Sequence, residues 1–177
     1  WRTVDSPTNQ DLNSIVVVDD VIWAAGENGT LVTGRIDTEW SIVPLPTTST
    51  INDISIDERG ILVAVGDSGE IVSSVDGGQT WFAPDSGVEA NLSSVAWTGR
   101  AFLAVGEDGM MLSSPDGGRW EVVPPITLYD IQAVASNRES TVLVSSAITY
   151  RDAGDGNWSL VDATYLKHDK LYQLSLI

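Results

Sequence analysis

Apolar residues fall in short runs along this chain, and glycine, aspartate and proline break the runs. Residues 51 to 84 show the pattern in full. Ile51 to Ile56 alternates polar with apolar positions and predicts a strand. Asp57-Glu58-Arg59-Gly60 reads as a turn. Ile61 to Val65 is nearly all apolar, which suits a strand buried on both faces. Gly66 to Gly69 then forms a hairpin, with Ser68-Gly69 tolerant of positive φ. Glu70 to Ser74 is a third strand, Asp76-Gly77-Gly78 a turn, and Thr80 to Ala83 a fourth strand. No segment keeps a helical period, so helix is expected to be nearly absent.

The unit repeats. Trp1, Trp40, Trp81, Trp120 and Trp158 stand at intervals of 39, 41, 39 and 38 residues. A Gly-x-x-Gly recurs at Gly26-Glu27-Asn28-Gly29, Gly66-Asp67-Ser68-Gly69 and Gly106-Glu107-Asp108-Gly109, spaced by 40 each time. A third marker begins the innermost strand of each unit: Leu12-Asn13-Ser14-Ile15, Ile51-Asn52-Asp53-Ile54, Leu92-Ser93-Ser94-Val95, Leu128-Tyr129-Asp130-Ile131 and Leu171-Tyr172-Gln173-Leu174. Four antiparallel strands repeated at such a period predict an all-β fold, a β-propeller. A sandwich or barrel would not require one fixed period. The expected blades are residues 11–43, 51–84, 91–123 and 128–161, within one propeller or propeller segment spanning 1–177. Edge strands at 1–4 and 171–177 are left over. Trp1 to Val4 has the character of an outermost strand and Leu171 to Ile177 that of an innermost one. Three endings are open: a segment of a larger ring, a five-bladed variant, or a ring completed by partner chains. The segment is the favoured expectation, because an open propeller exposes strand edges.

Ser74-Val75-Asp76-Gly77-Gly78-Gln79-Thr80-Trp81 resembles the Asp-box, or BNR, repeat, Ser-x-Asp-x-Gly-x-Thr-Trp. Ser114-Pro115-Asp116-Gly117-Gly118-Arg119-Trp120 is a second copy, one residue shorter and without the threonine. Asp37 to Trp40 and Asp155 to Trp158 look like eroded copies. With the preceding Gly-x-x-Gly, the combination resembles the photosystem II stability and assembly factor family and its bacterial relatives. It is similar, more loosely, to the repeats of xyloglucanases and sialidases. The resemblance implies a non-enzymatic binding or assembly module, extracytoplasmic, with a protein or peptide partner. The alternative it leaves is the propeller part of a carbohydrate-active enzyme or a carbohydrate-binding protein. The box residues Ser74, Asp76, Gly78, Thr80, Trp81, Ser114, Asp116, Gly118 and Trp120 are expected to be structural. Turn aspartates accept the turn's own N–H donors, and the tryptophan is expected to lie in a strand and fill the space between sheets.

Charge narrows the partners. Lys and Arg total 9 against 25 Asp and Glu, a formal charge of −16. Such a balance argues against nucleic acid and against an anionic membrane surface. No apolar run approaches the ~20 residues of a membrane span. With no cysteine, disulfides and thiolate metal sites are excluded. The family's arginine-rich surface is not matched by this chain's few cations. Blade topology places the Gly-x-x-Gly loops on one face with the inter-blade connections Pro44 to Ser49, Pro84 to Asn91 and Pro124 to Thr127. Glu27, Asn28, Asp67, Ser68, Glu89, Glu107 and Asp108 are therefore the candidate binding face, suited to a cation or basic peptide. Of the innermost polar pairs Asn13-Ser14, Asn52-Asp53, Ser93-Ser94, Tyr129-Asp130 and Tyr172-Gln173, one residue each is a candidate to line a channel. No catalytic residue, metal ligand or cofactor is expected. The only histidine, His168, reads as an exposed loop residue among Lys167, Asp169 and Lys170, and the arginines are scattered.

Overall fold

The computed structural model describes residues 5–161 apart from Asp37, Arg138, Ala147 and Asp155. Expectations for residues 1–4, His168, Tyr172, Gln173 and the 171–177 strand lie outside these residues, as do the acids of the two eroded boxes. The chain forms four antiparallel sheets, arranged as consecutive propeller blades. Blade 1 holds β1 (Leu12–Val18), β2 (Val21–Gly26), β3 (Thr30–Gly34) and β4 (Ser41–Ile42). Blade 2 holds β5 (Ile51–Ile56), β6 (Leu62–Gly66) and β7 (Ile71–Ser74). Blade 3 holds β8 (Leu92–Trp97), β9 (Phe102–Gly106), β10 (Met111–Ser114) and β11 (Glu121–Val122). Blade 4 holds β12 (Ile131–Ser136), β13 (Thr141–Ser145), β14 (Ile148–Asp152) and β15 (Trp158–Val161).

Two local expectations need correction. The fourth strand of blade 2 is reduced to one bridge, Ser73 with Phe82, so that sheet has three strands. The outer strands are short because prolines at 44, 84 and 124 follow them, and proline cannot donate to a ladder. The inner strand of blade 4 starts at Ile131, not Leu128, so Tyr129 and Asp130 precede it. The β-bulge settles this register. Each inner strand carries one, between Leu12 and Ser14, Ile51 and Asp53, Leu92 and Ser94, and Ile131 and Ala133. Inner strands thus begin at 12, 51, 92 and 131, intervals of 39, 41 and 39 that match the first three tryptophan intervals.

The bulge residue is the extra one that the ladder leaves unpaired, and here it ties blades together. Asn13 Nδ2 donates to the Ile51 carbonyl at 2.9 Å and Asn52 Nδ2 to that of Leu92 at 3.0 Å. Ser93 Oγ donates to the Ile131 carbonyl. Apolar side chains fill the joints. Trp23, Ala25 and Leu31 of blade 1 pack on Ile51, Ile54, Leu62 and Val72 of blade 2. Val63, Val65 and Ile71 meet Leu92, Val95, Phe102 and Leu112. Leu103, Val105 and Met111 meet Ile131, Val134 and Leu143. The core is therefore a series of layers between blades.

Candidate functional site

The Gly-x-x-Gly hairpins form three 3-10 turns, Glu27–Gly29, Asp67–Gly69 and Glu107–Gly109. Asn28, Ser68 and Asp108 sit at φ of 53, 58 and 52°, a left-handed conformation that short polar side chains tolerate. The second glycine needs positive φ and space as well. At Gly69, φ is +71° and a Cβ would lie 2.0 Å from the Val88 carbonyl oxygen. Hairpin and inter-blade connection thus touch, backbone to backbone, on one face. Asp67 N–H donates to the Thr50 carbonyl and Glu107 N–H to that of Asn91.

Glu27, Asn28, Ser68, Glu89, Glu107 and Asp108 are exposed there, and Asp67 is half-buried. Some of these groups are engaged within the face. Asp67 Oδ1 accepts Asn52 Nδ2 at 2.9 Å, and Glu107 Oε1 accepts Asn91 Nδ2 at 3.0 Å. Asn91 Oδ1 in turn accepts the Ser68 N–H at 2.7 Å, and Asp130 Oδ1 accepts the Asp108 N–H at 2.9 Å. Asn91 and Asp130, each immediately before an inner strand, are joints that sequence reasoning missed. Their equivalent placement shows only once the register of β12 is known. No described arginine lies on this face. Arg35, Arg59, Arg100, Arg119 and Arg151 all fall at the opposite end of the blades, in or beside turns between first and second or third and fourth strands.

The inner strands line a cavity of about 830 Å3. Both residues of the pairs Asn13-Ser14, Asn52-Asp53 and Ser93-Ser94 border it, not one of each, because the bulge breaks the strand's alternation there, and Gln132 takes the place foreseen for Tyr129 and Asp130. Asp53 is the only titratable residue in the four inner strands. Its Oδ1 accepts Ser14 Oγ at 2.6 Å and the Ile54 N–H at 2.9 Å. Its Oδ2 accepts Ser94 Oγ at 2.7 Å and the Val95 N–H at 2.9 Å. Burial raises its pKa above 3.8, against these hydrogen bonds, which lower it. One carboxylate therefore joins blades 1, 2 and 3 at the channel wall.

The Asp-box turns lie on the opposite face. Asp76 accepts the Thr80 hydroxyl at 2.6 Å, the Thr80 and Gln79 N–H groups, and Ser74 Oγ. The Thr80 hydroxyl is the largest cause of a pKa lowered to about 2. Asp116 is also lowered, chiefly by the N–H of Gly118, then that of Arg119. The expected placing in a strand is corrected for Trp81 and Trp120, whereas Trp158 does open β15. Trp81 and Trp120 precede the outer pairing, and each indole N–H bonds back to a glycine carbonyl of its own turn, Gly78 or Gly117, at 3.2 Å. The box also reaches the preceding blade. Trp81 meets Trp23 edge-on at 6.1 Å, and Ser73 Oγ donates to the Gly117 carbonyl at 2.7 Å. Arg59 donates to the Pro115 carbonyl at 2.8 Å while Asp57 holds its Nε at 2.6 Å. Trp97 packs on Phe102 and beneath the Arg59 guanidinium, and its indole N–H donates to Glu58. No cluster of potential metal ligands occurs among the described residues.

Residues 34–165 match the family described as photosynthesis system II assembly factor YCF48. The chain belongs to this family. Among solved structures it is similar to "YCF48 bound to D1 peptide", at 19% identity and a TM-score of 0.72, over 90% of this chain and 56% of that one. It is similar to YCF48 from Cyanidioschyzon merolae at 16% identity and a TM-score of 0.72, over 90% and 59%. The WD40 repeats of RRP9 match at 13% identity and a TM-score of 0.74, over 88% and 52%. No curated protein matches. The chain spans little more than half the length of these structures. At such identities the likeness shows the propeller fold, and the family assignment rests on the sequence match.

Proposed function

We propose that this YCF48-family chain is a non-enzymatic binding module that docks a protein or peptide partner on its hairpin face. The observation that carries this reading is the separation of charge. Glu27, Glu89 and Asp108 stand exposed on a face where no described cation competes, and Asp67 and Glu107 add charge beside them. A face of one sign favours a basic segment and raises its encounter rate. The relative solved with a D1 peptide supports a peptide as the kind of partner. An extracytoplasmic location fits the family, and no described helix is long and apolar enough to cross a membrane. Trp23, Trp81 and Trp97 pack against other parts of the blades rather than forming a stacked rim, which weighs against a sugar platform.

The test is fluorescence anisotropy with a labelled Lys/Arg-rich peptide and its Gln-substituted counterpart. The basic peptide should bind, more weakly as salt rises. A Glu27→Lys/Asp108→Lys double variant should lose about tenfold or more in affinity at low salt. Equal binding of both peptides, or an unaffected double variant, would overturn the reading.

A further inference from the structure

A second cavity, about 310 Å3, lies between blades 3 and 4 on the face opposite the hairpins. Leu103, Met111 and Ala101 line it with Trp158, Arg100 and Ser113. The joint between blades 2 and 3 shows what the same place holds one repeat earlier. There the box turn of blade 3 seats on Val63 and Ile61, and a Cβ on Gly117 would lie 3.1 Å from Val63 Cγ2. Two backbone carbonyls of that turn are captured, Pro115 by the Arg59 guanidinium and Gly117 by Ser73 Oγ. Arg100 stands at the place of Arg59 in the first turn of its blade, and Ser113 at the place of Ser73 in the third strand.

Blade 4 does not repeat the arrangement. Asp152 stands where Ser114 stands in blade 3, and its Oδ1 accepts the N–H groups of Gly154 and Gly156. Arg100 and Ser113 form no side-chain hydrogen bond or ion pair with the described residues. Thr98 replaces Asp57, and its hydroxyl donates to Ala101, so Arg100 has no carboxylate in its own turn.

We propose that this notch is a peptide-binding site, separate from the hairpin face. It accepts a tight turn of a partner chain through two backbone carbonyls, one on Arg100 and one on Ser113. A glycine or small residue rests on Leu103, with Trp158 as the side wall. Glu139 and Asp152 also border the notch, so neutral carbonyls suit it better than an anion. Its volume is at the lower end of the range for ligand pockets, which fits one turn rather than a long segment.

The probe is a synthetic peptide with the sequence of residues 113–121, which contains the turn that fills the equivalent seat. Calorimetric titration of the 177-residue protein should give saturable binding, absent with a scrambled peptide. Arg100→Met and Ser113→Val should each weaken it by about tenfold. Both should leave the melting temperature unchanged, since neither side chain has a described partner to lose. The Glu27→Lys/Asp108→Lys variant should bind this probe as the parent does, which separates this site from the hairpin face. No saturation at millimolar peptide, or full affinity in both notch variants, would overturn the proposal.

Discussion

Asp76 is half-buried, and its carboxylate is held by a hydroxyl and N–H groups of its own turn. The charged form is the one these donors favour, so its pKa falls from 3.8 to about 2. The unfolded chain binds the proton more readily, so the stabilisation is present above pH 3.8 and is lost as pH falls towards 2. Asp76→Asn should therefore melt at a lower temperature than the parent at neutral pH, with the gap closing across that window. A gap that is constant down to pH 2 would contradict this. Asp53 is shifted the other way, although it too accepts several donors, because burial outweighs them. Position in the repeat separates the two: Asp76 caps a surface turn, whereas Asp53 is gripped by three blades.

Among elements, the Asp-box turn does more than satisfy its own backbone. Gly78 has φ of +87°, and a Cβ there would lie 2.1 Å from Trp23 Cη2 in the preceding blade. Gly77 has φ of +71° and open space around it. Gly77→Ala should cost about 1 kcal/mol, the strain of left-handed backbone alone. Gly78→Ala should cost about 2–5 kcal/mol, because an aromatic ring in the inter-blade core must also move. Urea titration of the two variants checks the difference, and equal losses would mean the turn does not bear on Trp23. The turn and its glycines were legible in the sequence, because the motif is local. Its seat on the previous blade was not, since no residue of the box says what lies beneath it. The misplaced start of β12 has the same origin. Leu128 and Ile131 have the spacing of the marker, but ladder pairing and the bulge decide which residue begins the strand.

In the whole molecule, equivalent residues have unequal surroundings. Ile54, Val95 and Val134 occupy one position of successive inner strands and are no more than 6% exposed. Ile15 has the same position in blade 1 and is 53% exposed. Ile54→Ala should cost about 2–5 kcal/mol, as a buried large-to-small change. Ile15→Ala should stay within about 1 kcal/mol. Thermal or urea melts compare them directly, and a large loss at Ile15 would place a packing partner against it in solution. The −16 charge is also unevenly placed, with the described arginines at one end of the blades and the hairpin acids at the other. A formal charge summed over the sequence conceals that division, which the antiparallel path of each blade creates.

The sequence by itself determined the repeat, the antiparallel blades, the two well-formed Asp-boxes and the hairpins with their left-handed residues. These follow from local periodicity and from which residues tolerate positive φ. The tertiary structure decided which polar residues hold blades together and which remain available. Asn52, Asn91 and Arg59 are joints, whereas Arg100 and Ser113, at repeat positions equivalent to Arg59 and Ser73, border an open notch. The physical reason is that hydrogen bonding and burial depend on the neighbouring blade, and one blade's sequence does not contain its neighbour.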